Sequence, residues 1–267
     1  MNTSLASTTS PVPLIEVNHI HTRFGAAVVH DDVSLTVNKG EVFAIAGGNG
    51  CGKSVLMREM ILLQAPTAGD IKLFGQSVRT MSAADVGSLR RRCGVLFQHG
   101  ALFSSLTVTD NVAVPLREHT NIGPRLIEEL ALLKIASTGF PMASVGKFPN
   151  ELSGGMRRRA AMARAMALDP EILFLDEPTS GLDPISAAAF DELIQQLREW
   201  FSLTIVIITH DLDSLWRIAD RVAVLGNGKV LGIGSMDELA TSTDPLIHEY
   251  FYGPRGRAAK EQAWNRK

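Results

Sequence analysis

Three features are scarce in this sequence, and each scarcity argues against a class of protein. No apolar run approaches the ~20 residues that a membrane-spanning helix needs, and residues 1 to 13 lack the basic and apolar pattern of a secretion signal. Two cysteines are too few for a disulfide framework and suit a reducing compartment. The formal net charge of −2 gives no general attraction to nucleic acid. We therefore expect a soluble cytosolic protein that does not bind nucleic acid.

The hydrophobic pattern predicts an α/β protein. Apolar runs at 172–175 and 204–208 read as buried strands, and a helical pattern at 185–200 separates them, which is the alternation of a parallel sheet. A turn at Gly226-Asn227-Gly228 joins two further apolar runs and predicts a hairpin. The N-terminal third is rich in strand patterns, at 14–24, 33–37, 42–46 and 70–74.

A stretch from about residue 100 to 167 has a different character. Helical patterns at 125–133 and 156–168 dominate it, and we expect its prolines, at positions 115, 124, 141 and 149, to break the helices. The stretch lies between the N-terminal strands and the later strand–helix alternation. We interpret it as a helical subdomain inserted into the α/β fold.

A glycine-rich segment follows the predicted strand 42–46 and precedes a helical pattern at 55–63. Strand, glycine-rich turn and helix in this order form a phosphate-binding loop, because the glycines let backbone N–H groups point inward beside a helix N-terminus. A lysine placed there reaches the β- and γ-phosphates, and a serine hydroxyl holds Mg²⁺. The segment consists of Gly47, Gly48, Asn49, Gly50, Cys51, Gly52, Lys53 and Ser54.

Two acidic residues, Asp176 and Glu177, follow the predicted strand 172–175, at the strand end where open α/β sheets bind ligands. Asp176 is suited to hold Mg²⁺, and Glu177 to orient and deprotonate an attacking water. The alternative is that the pair merely caps the next element.

A second anion site is predicted where Ser153, Gly154 and Gly155 open the helical pattern that carries three arginines. Taken alone, the peptide is better read as an N-cap. Because the loop at 47–54 already serves the phosphates of this chain, a second site makes sense if it serves the nucleotide of a partner chain.

Together these motifs resemble the nucleotide-binding subunit of ATP-binding-cassette (ABC) transporters over residues 14–240. The resemblance implies a P-loop NTPase (RecA-like) core, an N-terminal antiparallel β subdomain and an inserted helical subdomain. It implies that Leu152 to Met156 is the signature motif, which closes on ATP held by a second copy in a head-to-tail dimer. It also implies that residues 180–183 communicate across that dimer.

The same resemblance gives roles to further residues. Phe24 fits the aromatic that stacks on adenine, although family members often have Tyr there and a core aromatic is the alternative. Gln98 fits the glutamine that contacts Mg²⁺ and water and senses the permease. His210 fits the switch histidine near the γ-phosphate, whereas a single histidine at a strand end is more often structural. The implied catalytic residues are Lys53, Gln98, Glu177 and His210; the implied Mg²⁺ ligands are Ser54, Gln98 and Asp176.

Two local strings, 97–119 and 152–159, are similar to ATPases of the maintenance-of-lipid-asymmetry (Mla) type, the second because Met156 replaces a common Gln. This similarity implies phospholipid transport in a Gram-negative envelope. An importer of another solute, such as an amino acid, and a soluble ABC ATPase of cluster assembly are the alternatives.

The resemblance further implies a location on the cytoplasmic face of the inner membrane. The implied partners are permease subunits, a substrate-binding envelope protein of the MCE type and a small STAS-domain subunit.

We divide the chain into a flexible segment (1–13), an ABC ATPase domain (14–240, helical subdomain about 100–167) and a C-terminal extension (241–267). The basic tail from residue 253 is either a solvated end or a contact for anionic lipid or the neighbouring ATPase.

Overall fold

The computed structural model describes residues 13–252. Its strands are β1 (Pro13–Phe24), β2 (Ala27–Asn38), β3 (Val42–Gly47), β4 (Ala68–Leu73), β5 (Gln76–Ser77), β6 (Cys93–Leu96), β7 (Ile172–Asp176), β8 (Thr204–Ile208), β9 (Arg221–Gly226) and β10 (Lys229–Gly234). Its helices are α1 (Lys53–Met60), α2 (Ala83–Arg91), α3 (Val108–His119), α4 (Pro124–Ser137), α5 (Gly154–Ala165), α6 (Pro184–Phe201), α7 (Leu212–Ile218), α8 (Met236–Ala240) and α9 (Pro245–Tyr252).

The central sheet has six strands in the order β10-β9-β3-β8-β7-β6, and its strands pair in parallel except for the β9–β10 hairpin. Every residue of β3 and β8 is buried, which explains why these strands are continuous apolar runs in the sequence. The predicted hairpin is confirmed, with Asn227 and Gly228 both at positive φ as its two-residue turn requires.

A second, antiparallel sheet has the order β2-β1-β4-β5. Helix α1 shares one hydrophobic core with residues of this sheet and of the central sheet. This shared core fixes the position of the segment that leads into α1. This core contains Ile15, Val17, Val33, Phe43, Ile45, Leu56, Met57, Met60, Ile71 and Phe174 among others. The predicted α/β class with an antiparallel N-terminal sheet is confirmed.

The helices α3, α4 and α5 share a separate apolar core, built around Val112, Ile127, Ile135 and Ala160. Buried Asn111 joins the preceding loop to α3, because its side-chain amide donates to the carbonyls of Phe103, Leu106 and Thr107 and its Oδ1 accepts from the Phe103 N–H.

One predicted helix break is wrong, since Pro115 lies inside α3. Proline removes one backbone hydrogen bond there, but α3 buries Val108, Val112 and Leu116 against its neighbours, and this packing keeps the helix continuous. Pro124 begins α4 and Pro149 begins a 3-10 turn, where a missing N–H costs little.

Candidate functional site

The glycine-rich loop lies between the central strand β3 and helix α1. Gly47, Gly50 and Gly52 have φ values of 141°, 78° and 99°, in the left-handed region that favours glycine. A Cβ at Gly47 would lie 2.3 Å from the carbonyl oxygen of Leu225 on the neighbouring strand, so a larger residue has no room there. The loop is therefore shaped by backbone contacts that only glycine permits.

Lys53 folds back across this loop. Its Nζ donates to the carbonyl oxygens of Gly47 at 2.9 Å and Gly48 at 2.8 Å, and the residue is 8% exposed. Helix α1 has no side-chain N-cap and no acid in its first turn. Its first N–H groups and the lysine ammonium therefore make this end of the helix a site for an anion.

Asp176 and Glu177 lie at the carboxyl end of β7, which is two places from β3 in the central sheet. Asp176 is half-buried, contacts the Ser54 hydroxyl, and has a buried Oδ1 with no hydrogen-bond partner within residues 13–252. Burial and the neighbouring charge of Glu177 raise its pKa, while the charges of Arg58 and Lys53 oppose the rise. A carboxylate oxygen without a partner beside a serine hydroxyl is a donor set that fits Mg²⁺.

Glu177 and His210 are brought together because β7 and β8 are parallel neighbours, with Asp176 in register with Ile208. The distance from His210 Nδ1 to Glu177 Oε1 is 2.7 Å, and Thr209 Oγ1 lies 3.5 Å from Glu177 Oε2. Glu177 also adopts φ 47°, an uncommon backbone conformation for a glutamate. This contact with the histidine holds the Glu177 carboxylate in one direction.

Two other predicted residues lie nearer the surface. Phe24, at the end of β1, is 53% exposed, so it is not the core aromatic that was the alternative interpretation of the sequence. Gln98 lies two residues after β6, the strand next to β7 in the sheet, and its side chain is exposed. Both side chains are therefore accessible to a ligand.

The predicted second anion site belongs to the helical subdomain, whose core is distinct from the core beside the loop. Ser153 is the N-cap of α5, with its Oγ accepting from the Met156 N–H, and Ser153 and Gly154 are exposed. Within residues 13–252, no hydrogen bond joins 153–155 to the loop at 47–54. The single chain thus assembles the loop, Asp176, Glu177 and His210, and presents Ser153 to Gly155 on its surface.

Two residues near the site were not singled out by the sequence. Arg158 is 8% exposed and donates to the Ser180 carbonyl at 2.9 Å; burial lowers its pKa, while the charges of Asp176 and Glu177 raise it. Tyr250 on α9 has a buried hydroxyl near Gly47, and burial with the charges of Glu177 and Asp211 raises its pKa. Arg158 is one of three consecutive arginines that the sequence does not distinguish. The burial of Tyr250 depends on how α9 packs on the rest of the chain.

Two histidines on β1 lie outside this site. His19 and His21 contact Asp32 and Asp31 respectively, and the residues from 13 to 252 contain no cluster of His, Cys, Asp and Glu suited to a metal ion. In the same range, none of the helices combines the length and the apolar character that a bilayer crossing requires.

Comparison with known proteins gives a consistent result. Residues 30–180 match the family model described as "ABC transporter". The chain is 39% identical over 240 residues to the intermembrane phospholipid transport system ATP-binding protein MlaF of Haemophilus influenzae, covering 90% of each chain. It is also 39% identical over 241 residues to the probable ribonucleotide transport ATP-binding protein mkl of Mycobacterium tuberculosis, covering 90% of this chain and 67% of the relative.

Solved structures match as well. The dimeric post-hydrolysis state of the ATP-binding cassette MJ0796, bound to ADP and Pi, superimposes with a TM-score of 0.76 at 26% identity, covering 83% of this chain and 98% of that one.

Proposed function

The chain belongs to the ABC transporter family of ATPases, and from this premise we propose that it drives phospholipid transport between the inner and outer membranes of a bacterium. Its reaction is the hydrolysis of ATP to ADP and phosphate. The observation that carries the site assignment is the meeting of the loop at 47–54 with Asp176, Glu177 and His210 at one edge of the central sheet.

In the proposed mechanism the chain's own groups position the nucleotide and the water. The loop amides, the start of α1 and Lys53 hold the β- and γ-phosphates, and Phe24 stacks on the adenine. Ser54, Asp176 and Gln98 are the residues that would hold Mg²⁺, which neutralises phosphate charge when bound. His210 orients Glu177, and the Glu177 carboxylate accepts a proton from the attacking water.

The exposed signature segment supports a two-chain site. Ser153 and Gly154 lie at the N-terminus of α5, on the surface and apart from the loop of their own chain. A head-to-tail dimer brings this segment of one copy to the γ-phosphate held by the other. The solved dimeric cassette with ADP and Pi is a relative in which two chains associate.

The proposed cargo is phospholipid, because a relative named for intermembrane phospholipid transport aligns over 90% of both chains. In this assignment the protein binds permease subunits on the cytoplasmic face of the inner membrane and works with an MCE-type envelope protein and a small STAS-domain subunit. The second candidate is transport of another solute, since a relative named for ribonucleotide transport is equally identical over a similar length.

The test is purification of the native complex through a tag on this chain, followed by mass spectrometry of its proteins and extracted lipids. We expect a multi-spanning permease, an MCE-type protein and phospholipid in molar proportion to the complex. A permease with a solute-binding protein and no enriched lipid would favour the second candidate. A complex without any membrane protein would contradict both and favour a soluble ABC ATPase.

A further inference from the structure

A buried polar cluster beneath the loop takes no part in the chemistry described above. It consists of Thr22 on β1, His30 on β2 and Glu59 on α1, which are 2%, 0% and 0% exposed. Thr22 Oγ1 lies 2.5 Å from Glu59 Oε1, and His30 Nδ1 lies 3.1 Å from Thr22 Oγ1 and 3.4 Å from Glu59 Oε2. Burying such groups is costly unless they serve one another, so the cluster calls for an explanation.

The other side of the His30 ring contacts the loop itself. His30 Nε2 lies 3.1 Å from the carbonyl oxygen of Gly52, which also accepts from the Leu56 N–H at 2.9 Å. A Cβ at Gly52 would lie 2.6 Å from His30 Nε2, so the loop packs directly on the imidazole. Because a carbonyl only accepts, His30 must carry its proton on Nε2 in this contact.

Two protonation arrangements of the cluster are compatible with that Nε2 proton. In one arrangement His30 is protonated on both nitrogens, Glu59 is ionised, and Thr22 donates to Glu59. In the other, Glu59 is protonated and donates to Thr22, and Thr22 donates to a neutral His30 at Nδ1. Both arrangements have the same number of protons and no net charge, and both leave the Nε2 proton directed at Gly52.

We propose that His30, held as an Nε2 donor by Thr22 and Glu59, is a positioning residue for ATP binding. The Gly52 carbonyl and the Lys53 N–H belong to one planar trans peptide and point in opposite directions, so fixing the carbonyl also fixes the N–H at the start of α1. That N–H faces the phosphates in the proposed site, and the inference rests on this assignment of the loop.

The decisive variant is the double substitution H30L/E59L. Buried polar partners that are replaced together by apolar residues often cost little stability, so this protein is expected to fold, with the Thr22 hydroxyl left unpaired, while lacking the donor to Gly52. Loss of one hydrogen bond that organises the loop should raise KM for ATP about fivefold and leave kcat within about twofold, because the bond helps ground state and transition state equally.

A polar counterpart, H30Q/E59Q, provides the rescue. The glutamine amide at position 30 can donate to the Gly52 carbonyl, so KM should return to within about twofold of the wild-type value. The matched control is H19N, which removes an exposed histidine whose Nδ1 lies 2.7 Å from Asp32 on the same sheet. It should leave both constants unchanged.

The possible results distinguish a failure of the positioning role of His30 from a failure of the proposed nucleotide site. A wild-type KM in H30L/E59L, or a fall in kcat at constant KM that reports a smaller active fraction, would overturn the positioning role. An equal rise of KM in H30Q/E59Q would also overturn the positioning role. Fluorescent ATP-analogue binding to K53A is measured in parallel: undiminished affinity there would remove the loop assignment itself, whatever the His30 variants do.

Discussion

At the scale of single residues, the site depends on the contact between the side chains of Glu177 and His210. Glu177 is nearly buried, and its carboxylate lies within hydrogen-bond distance of the partly exposed His210. The His210 side chain is 44% exposed, so a ligand that contacts it also contacts a group that is hydrogen-bonded to the proposed base.

The first prediction concerns this base. In E177Q the amide keeps the size of the carboxylate but cannot take a proton, so hydrolysis should fall by about 10² to 10⁴ while ATP affinity stays within a few fold. Phosphate release and nucleotide binding measure the two effects. The control E171Q changes an exposed glutamate at the opposite end of β7 and should hydrolyse ATP normally. Undiminished turnover in E177Q would remove Glu177 from the base role.

A second residue-scale prediction concerns stability and pH. Asp191 on α6 is fully buried, and burial raises its pKa from 3.8 to about 6 despite hydrogen bonds from Ser214 and Arg217. A raised carboxyl pKa means that the native state binds more protons than the unfolded state, so this group's contribution to stability falls as pH rises between these two values.

In D191N that contribution is absent. The free energy of unfolding of the wild type, minus that of D191N, should decrease by about 2 kcal/mol as pH rises from 4 to 7, since each unit of pKa shift corresponds to about 1.4 kcal/mol and part of the shift lies below pH 4. Denaturant titrations across this range measure it. The control is E192Q, which changes the adjacent exposed acid, and the change of this difference with pH should be larger for D191N. A constant difference for D191N would contradict the shift.

At the scale of elements, helix α9 closes one side of the core. Ile247 and Phe251 are 2% and 4% exposed and pack in the same core as Val224 and Leu239. The basic tail that follows lies outside the described residues, as do residues 1 to 12, so the predictions made for them stay predictions.

F251A tests the docking of this helix. Removing a buried phenylalanine leaves a cavity, and the free energy of unfolding should fall by about 3 to 5 kcal/mol. Leu246 on the same helix is 42% exposed, so L246A should change stability by less than about 0.5 kcal/mol. Equal effects of the two substitutions would mean that α9 does not pack as described.

Local patterns in the sequence are enough for much of the fold. The loop at 47–54, the hairpin at Asn227 and the buried strand β8 each follow from neighbouring residues whose chemistry allows little else. The predicted break at Pro115 is wrong because the packing of α3 outweighs the local preference of proline. The role of Glu59 cannot be read locally, because a charged residue in a helix normally faces solvent and its burial depends on β1 and β2, which are distant in sequence.

At the scale of the whole molecule, the loop and the signature segment, Leu152 to Met156, pack against different hydrophobic cores and share no hydrogen bond within residues 13–252. A Cβ added at Gly155 would meet no other group within 4 Å, and this glycine lies in the first turn of α5, where an acid is favourable. A substitution there can therefore disturb an interface without disturbing the fold.

The last prediction uses this property. E177Q should form a dimer on addition of ATP, whereas G155D/E177Q should stay monomeric, because the new carboxylate faces the phosphates of the other copy. Size-exclusion chromatography with light scattering measures both. G146D/E177Q, which places an acid at an exposed glycine of the helical subdomain with similar free space, should dimerise normally. ATP-driven dimers of G155D/E177Q would contradict the two-chain site.

The separation of Ser153 to Gly155 from the loop also has a kinetic consequence for the free protein. If both copies are needed for each hydrolysis event, dilute chains must first meet, and the rate per chain rises in proportion to chain concentration until pairing saturates. Binding to a common membrane partner would hold two copies at high local concentration and abolish this dependence. A plot of specific activity against dilution would then curve for the isolated chain and stay flat for the assembled transporter.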